Sequence, residues 1–150
     1  MRNVSREVFV DRLERPIEHA FKLYPWEWMF TDRFGPELAS RRTRFMEPAW
    51  RTVLNSKGLL PVLWELFPDH PNLLPAYWSP KPLKGAPHVS KPMQSREGAN
   101  IKVVGVNGGS ATLGPYGGGI RVYQAYTPLF NSNGRHAVMA HGWWGITGQE

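Results

Sequence analysis

The texture of the chain changes at Pro68, and that change limits the folds open to it. Ahead of this proline, apolar residues recur at helical spacing; behind it, short alternating runs are separated by glycine turns. Such a division points to an α+β class. The clearest helix lies in NSKGLLPVLWELFPDHP, where Leu59, Val62, Leu63 and Leu66 repeat at intervals of three and four. These four should share one core-facing side. Pro61 is tolerated only in a first helical turn, so the helix begins near Lys57 and ends before Pro68. Lys57 is thereby placed where unpaired backbone N–H groups favour anions.

Weaker signals organise the remainder. Val4, Val8, Phe9 and Leu13 suggest a helix over about 4–14, and Phe21–Leu23 a short strand. A further helix is expected at Trp26–Phe30, with Pro25 in its first turn and Gly35-Pro36 as its stop. HPNLLPAYWSPKPLKGAP reads as an irregular surface crossing because of its prolines. Strands follow at 88–91, 101–106, 120–126 and 136–144, joined by Asn107-Gly108-Gly109, Gly117-Gly118-Gly119 and Asn131-Ser132-Asn133-Gly134. Short glycine turns between them imply an antiparallel sheet.

A chain of 150 residues is expected to form one domain, with a mainly helical part over 1–67 and a mainly strand-and-loop part over 68–150. The absence of cysteine removes disulfides, thiolate metal sites and cysteine nucleophiles together. No apolar run nears the roughly 18 residues of a membrane helix, and the opening MRNVSREVFV lacks the apolar centre of a signal peptide, so a cytoplasmic location is expected. A formal charge of +6 favours anionic partners. Its densest cluster, Arg41-Arg42-Thr43-Arg44, reads first as a solvated loop or helix end.

Several chemistries fail on spacing. The histidines at 19, 70, 88, 136 and 141 form no HExxH pair or other ligand pattern. GxSxG is absent, and the Gly109-to-Gly114 mimic of a P-loop has Pro115 where the lysine belongs. Seven tryptophans with a basic balance could stack bases, but most read as packing residues. What remains is a distributed arrangement: Lys57 at a helix start, Lys91 at a strand end, a glycine-bearing turn, and Tyr123-Gln124-Ala125-Tyr126 closing another strand. A nucleotide triphosphate needs cations, mobile N–H donors and an adenine edge, and each need has a candidate here.

The order of these segments carries a resemblance. KLYPWEWM (22–29), EPAWRTVLNSKGLLPVLWELFPDHPNLLPAYW (47–78), SKPMQSREGAN (90–100) and VYQAYTPL (122–129) closely resemble the glutathionylspermidine synthase family, including its acid–amine ligase members. The resemblance implies an ATP-grasp fold and ligation of a carboxylic acid to an amine through an acyl phosphate. Its partners would be ATP, a small acid or peptide such as glutathione, and an amine or polyamine such as spermidine. Lys57 is similar to the family lysine of an Asn-Lys-Ala-Ile-Leu-Pro segment that contacts phosphate, here written Asn-Ser-Lys-Gly-Leu-Leu-Pro. Lys91 resembles the lysine of the family's Lys-Pro strand, which also holds ATP. Ser95, Arg96, Glu97 and Gly98 match the lid loop, with Gly98 at its ATP-contacting position. Gln124 matches the glutamine beside adenine, and Ala125 and Tyr126 would offer backbone contacts there.

The departures also carry expectations. The family is longer, and its magnesium-binding Arg-x-Asp and Glu-x-Asn motifs have no counterpart in residues 1–30. A Gly-Ile-Arg segment expected after the last tryptophans is also missing before Glu150. The chain thus resembles the C-terminal part of a ligase, an incomplete ATP-grasp domain for which Mg²⁺ is expected in the full-length family but whose ligands are not found here. Two other readings stay open: a non-catalytic nucleotide-binding or interaction module and, with least support, a basic aromatic nucleic-acid-binding domain.

Overall fold

A computed structural model describes residues 8–40, 42–129 and 131–136. Its elements are β1 (His19–Ala20), α1 (Trp26–Thr31), β2 (Arg44–Phe45), α2 (Thr52–Asn55), α3 (Leu59–Leu66), β3 (Ala76–Tyr77), β4 (His88–Pro92), β5 (Lys102–Val104), β6 (Ser110–Ala111), β7 (Arg121–Ala125), β8 (Asn131–Ser132) and β9 (Arg135–His136). Five strands form one sheet in the order β3-β7-β4-β5-β6, every pairing in it antiparallel. The α+β class is therefore as expected, an arrangement in keeping with a partial ATP-grasp-like domain.

β4 and β7 make the longest ladder, with Lys91 opposite Val122 and Val89 opposite Gln124. Directly opposed residues share a face, so Val89, Lys91, Val122 and Gln124 lie together on one side of the sheet. Val122 has no exposed surface and anchors that side. On the other side Arg121 donates from Nε to Ser90 Oγ at 2.7 Å and from Nη2 to the carbonyls of Ser90 and Asn100, at 3.1 and 2.8 Å.

A smaller apolar cluster surrounds α1. Trp26, 2% exposed, stacks on Phe30 and meets the edge of Phe45, with centroids 5.7 and 5.0 Å apart. Lys22 lies 4.5 Å above the Trp26 ring and donates to Glu47 at 2.9 Å. Pro25 serves as the N-cap of α1, as its sequence position suggested. The helix stops at Thr31, ahead of Gly35, and residues 35–40 continue as a 3-10 helix. A Cβ at Gly35 would lie 2.6 Å from the Phe30 carbonyl, so glycine is required there by close approach.

Other expectations need correction. The part of the 4–14 segment that is described, residues 8–14, is not helical: Val10 bridges Pro16, and Asp11 Oδ1 accepts from the N–H groups of Leu13 and Arg15. A short aspartate satisfying nearby N–H groups competes with the helix. The first strand is His19–Ala20, paired in parallel with Arg44–Phe45, rather than 21–23. The proline-rich crossing contains β3, whose Ala76 is buried opposite Gln124. On α3 the buried residue is Pro61, while Leu66 is 64% and Val62 40% exposed. The helix rolls this way because Trp64 Nε1 donates to the Tyr77 hydroxyl of β3 at 3.2 Å. Of the described tryptophans Trp26 alone is fully buried. Of the strand expected at 136–144, only His136 is described, in β9; residues 137–144 lie outside the described residues, as does Arg41 of the basic cluster.

Candidate functional site

The sheet face bearing Val89 and Val122 ends in a pair of lysines. Lys91 reaches diagonally across the ladder and donates from Nζ to Gln124 Oε1 at 2.7 Å. Lys57 arrives from another direction, just ahead of α3, where its backbone N–H donates to the Met93 carbonyl at 2.9 Å. Its Nζ donates to the Ser95 carbonyl at 2.6 Å. Gly58 allows this approach: a Cβ there would press on Trp78 and the Met93 sulfur at 3.0 and 3.1 Å. The departure from the family's Lys-Ala is thus matched to local packing.

The two ammonium groups are electrostatically strained. Burial holds Lys91 below the usual lysine range, and the nearby charge of Lys57 lowers it further. Lys57 is lowered first by burial and then by Arg96. The acceptors of these two ammonium groups, Gln124 Oε1 and the Ser95 carbonyl, are neutral. Partly desolvated cations held by neutral acceptors are suited to an anion, which would relieve their mutual repulsion.

Loop 93–100 crosses in front of this pair. Met93 N–H donates to the Ile120 carbonyl at 2.8 Å, tying the loop's start to the entry of β7. Its tip turns at Glu97 and Gly98, with φ of 52° and 72°. Nothing lies within 4 Å of a Cβ built at Gly98, so backbone conformation rather than space favours glycine. Beyond the tip, Thr112 Oγ1 donates to the Gly98 carbonyl at 2.6 Å and accepts from Ile101 N–H at 2.9 Å. Asn100 Oδ1 accepts from the Tyr116 N–H at 2.8 Å.

The sequence-chosen residues thus divide. Lys57 and Ser95 meet, as do Lys91 and Gln124, and the two pairs adjoin. Arg96 instead points to α1, where Nη2 meets Glu27 Oε1 at 2.5 Å and the guanidinium lies 5.9 Å from the Trp28 ring. Glu97 and Gly98 form the loop tip. The N–H groups of Ala125 and Tyr126 are already used, donating to Pro75 and Pro87 carbonyls at 2.8 and 3.0 Å. Sequence reasoning missed Glu27, Trp28, Thr112 and Arg121, which hold the loop; nothing local marked them, because their partners are distant in the chain.

A cavity of about 460 Å³ opens between loop 93–100 and residues 115–120, with Glu27, Ser95 and Tyr116 in its wall. The lysine pair lies outside this cavity, and its geometry and charge, rather than the hollow, define the candidate site. Among the described residues no three His, Asp or Glu side chains converge to hold a metal ion. No described helix is long and apolar enough to cross a membrane.

The family model for the glutathionylspermidine synthase preATP-grasp domain matches residues 2–150. A Haemophilus influenzae protein named "Putative acid--amine ligase" is 39% identical over 146 residues, covering 91% of this chain and 37% of its own length. Trypanothione synthetase of Crithidia fasciculata is 28% identical over 102 residues, 66% of this chain and 16% of that protein. Glutathionylspermidine synthase of the same organism is 37% identical over 65 residues, 43% of this chain and 9% of that protein. The chain therefore spans little more than a third of the Haemophilus protein and less of the others. Matched from residue 2 to residue 150, the chain belongs to the glutathionylspermidine synthase preATP-grasp family.

Proposed function

We propose that this chain carries part of the ATP site of a carboxylate–amine ligase. The observation that supports the reading most is the lysine pair: two partly buried ammonium groups, Lys91 lowered by burial and the Lys57 charge and Lys57 by burial and Arg96, held by neutral oxygens at the foot of a glycine-tipped loop. That donor set fits a polyphosphate. Lys57 and Lys91 would bind its oxygens, and Gln124 would orient Lys91 beside the adenine. The loop tip at Glu97 and Gly98 would bring backbone over the phosphates, with Ser95 and Arg96 at its base. Because the N–H groups of Ala125 and Tyr126 are used within the fold, their adenine contacts would run through carbonyl oxygens.

In the whole ligase, an oxygen of the acid's carboxylate would attack the γ-phosphorus as the bond to ADP breaks. The amine nitrogen would then attack the acyl carbon, forming the C–N bond, expelling phosphate and losing a proton. A peptide acid such as glutathione and a polyamine such as spermidine are the proposed substrates, by analogy with the named relatives. No three carboxylate or imidazole groups come together among the described residues, and none of them is proposed as a magnesium ligand. Calorimetric titration of ATP into the chain and into Lys91→Ala tests the reading: heat is expected from the first and little from the second. Equal heats would remove the site.

A further inference from the structure

Loop 93–100 is held from three directions. Lys57 takes the Ser95 carbonyl, Thr112 takes the Gly98 carbonyl, and Glu27 on α1 takes the Arg96 guanidinium from 69 positions away in the chain. The third attachment differs in kind. Arg96 adjoins the residue whose carbonyl receives Lys57, and its charge helps depress the Lys57 ammonium. Three cations therefore gather around one loop, and Arg96 pairs with a carboxylate, that of Glu27.

That carboxylate is only half engaged. Glu27 is 13% exposed at its side chain, and its Oε2 is buried with no hydrogen-bond partner among the described residues; Ser95 Oγ is in the same condition. A buried carboxylate with one oxygen unsatisfied is costly, so this arrangement lies close in energy to alternatives. Arg96 and Trp28 also stand between two cavities of about 460 and about 490 Å³, lining both.

We propose that Glu27 is a positioning residue that latches loop 93–100 to α1 through Arg96, and that it competes for this guanidinium with a polyphosphate bound at Lys57 and Lys91. The proposal rests on the anion-site reading above. In the free chain, Glu27 holds Arg96 against Trp28. A bound polyphosphate offers Arg96 a second partner, and taking it leaves the Glu27 carboxylate buried without a cation. Glu27 thereby weakens binding while it keeps the free loop closed on α1.

Two measurements on the whole 150-residue chain separate this from the parent reading. Without ligand, amide hydrogen exchange across 94–99 should accelerate in both Glu27→Gln and Arg96→Gln, and the double variant should exchange no faster than either. With tripolyphosphate as probe, Glu27→Gln should bind about fivefold more tightly than wild type, the scale of a partly exposed ion pair. The gain should vanish in the Arg96→Gln background. Unchanged exchange, or a gain that survives loss of Arg96, overturns the latch while leaving the lysine site intact. If wild type fails to bind tripolyphosphate, the anion site falls, and the competition falls with it.

Discussion

Lys91 and Gln124 sit at diagonal positions of two neighbouring antiparallel strands, and the lysine spends a 2.7 Å hydrogen bond on a neutral amide oxygen. The bond fixes the ammonium in place but leaves its charge uncompensated. Burial and the adjacent Lys57 charge therefore lower its pKa in the folded chain relative to the unfolded one.

From this, Lys91→Met should be more stable than wild type near neutral pH. Because the folded-state lysine value is depressed, the unfolded chain binds more protons between that value and the usual one, and wild-type stability rises with pH across the window. Urea denaturation at about pH 7 and about pH 10 should show the two proteins converging. Parallel stability curves would contradict the assigned desolvation.

Glu47→Gln should destabilise the cluster around α1. Lys22, 8% exposed at its side chain, would lose its charged partner and keep the Trp26 face and at most a neutral amide oxygen. A loss of about 2 kcal/mol is expected, less than for a fully buried pair because Glu47 is 27% exposed. The hydrogen bond from Lys22 holds the Glu47 carboxyl below its ordinary value, so the stabilisation is complete above that value and fades as pH falls through the lowered one. Thermal melts of the two proteins should approach each other in acid.

Gly98→Ala and Gly98→Leu should cost nearly the same, about 1 kcal/mol each, since φ is 72° and nothing lies within 4 Å of a Cβ there. A much larger loss for leucine in melting experiments would show that the loop tip is packed. Both should weaken ATP binding if the tip closes over phosphate.

Arg121→Lys should loosen the exit of the loop without unfolding the sheet. Lysine keeps the charge but cannot reproduce three bonds shared between Ser90 and Asn100. A loss of about 1 kcal/mol is expected, with faster amide exchange near Asn100 and little change at Val122.

The sequence was most informative where local chemistry agreed with the final fold. Alternation marked β4 and β7, glycine turns marked their neighbours, and Pro61 with Pro68 bracketed α3 correctly. Lys57, Lys91 and Gln124 were chosen by order along the chain, and the fold brings all three together. Partners distant in sequence were not legible. Ala76 and Tyr77 sit among prolines and become a strand only by pairing with Gln124 and Tyr123. Val62 and Leu66 carry a helical pattern, yet the Trp64–Tyr77 bond turns them outward. Glu27 carries no local signal between its two tryptophans, because its partner Arg96 lies 69 positions away.

The strand order β3-β7-β4-β5-β6 has a further consequence for assembly in time. β7 is the last of the five to be synthesised, yet it lies between β3 and β4 and pairs with both. The β4–β5 hairpin can form as soon as its turn exists, whereas β3 must wait without its partner until residue 124 has emerged. Closure of the sheet, and with it the meeting of Lys91 and Gln124, is therefore a late, long-range event, and ribosome-bound chains ending before Arg121 should lack both.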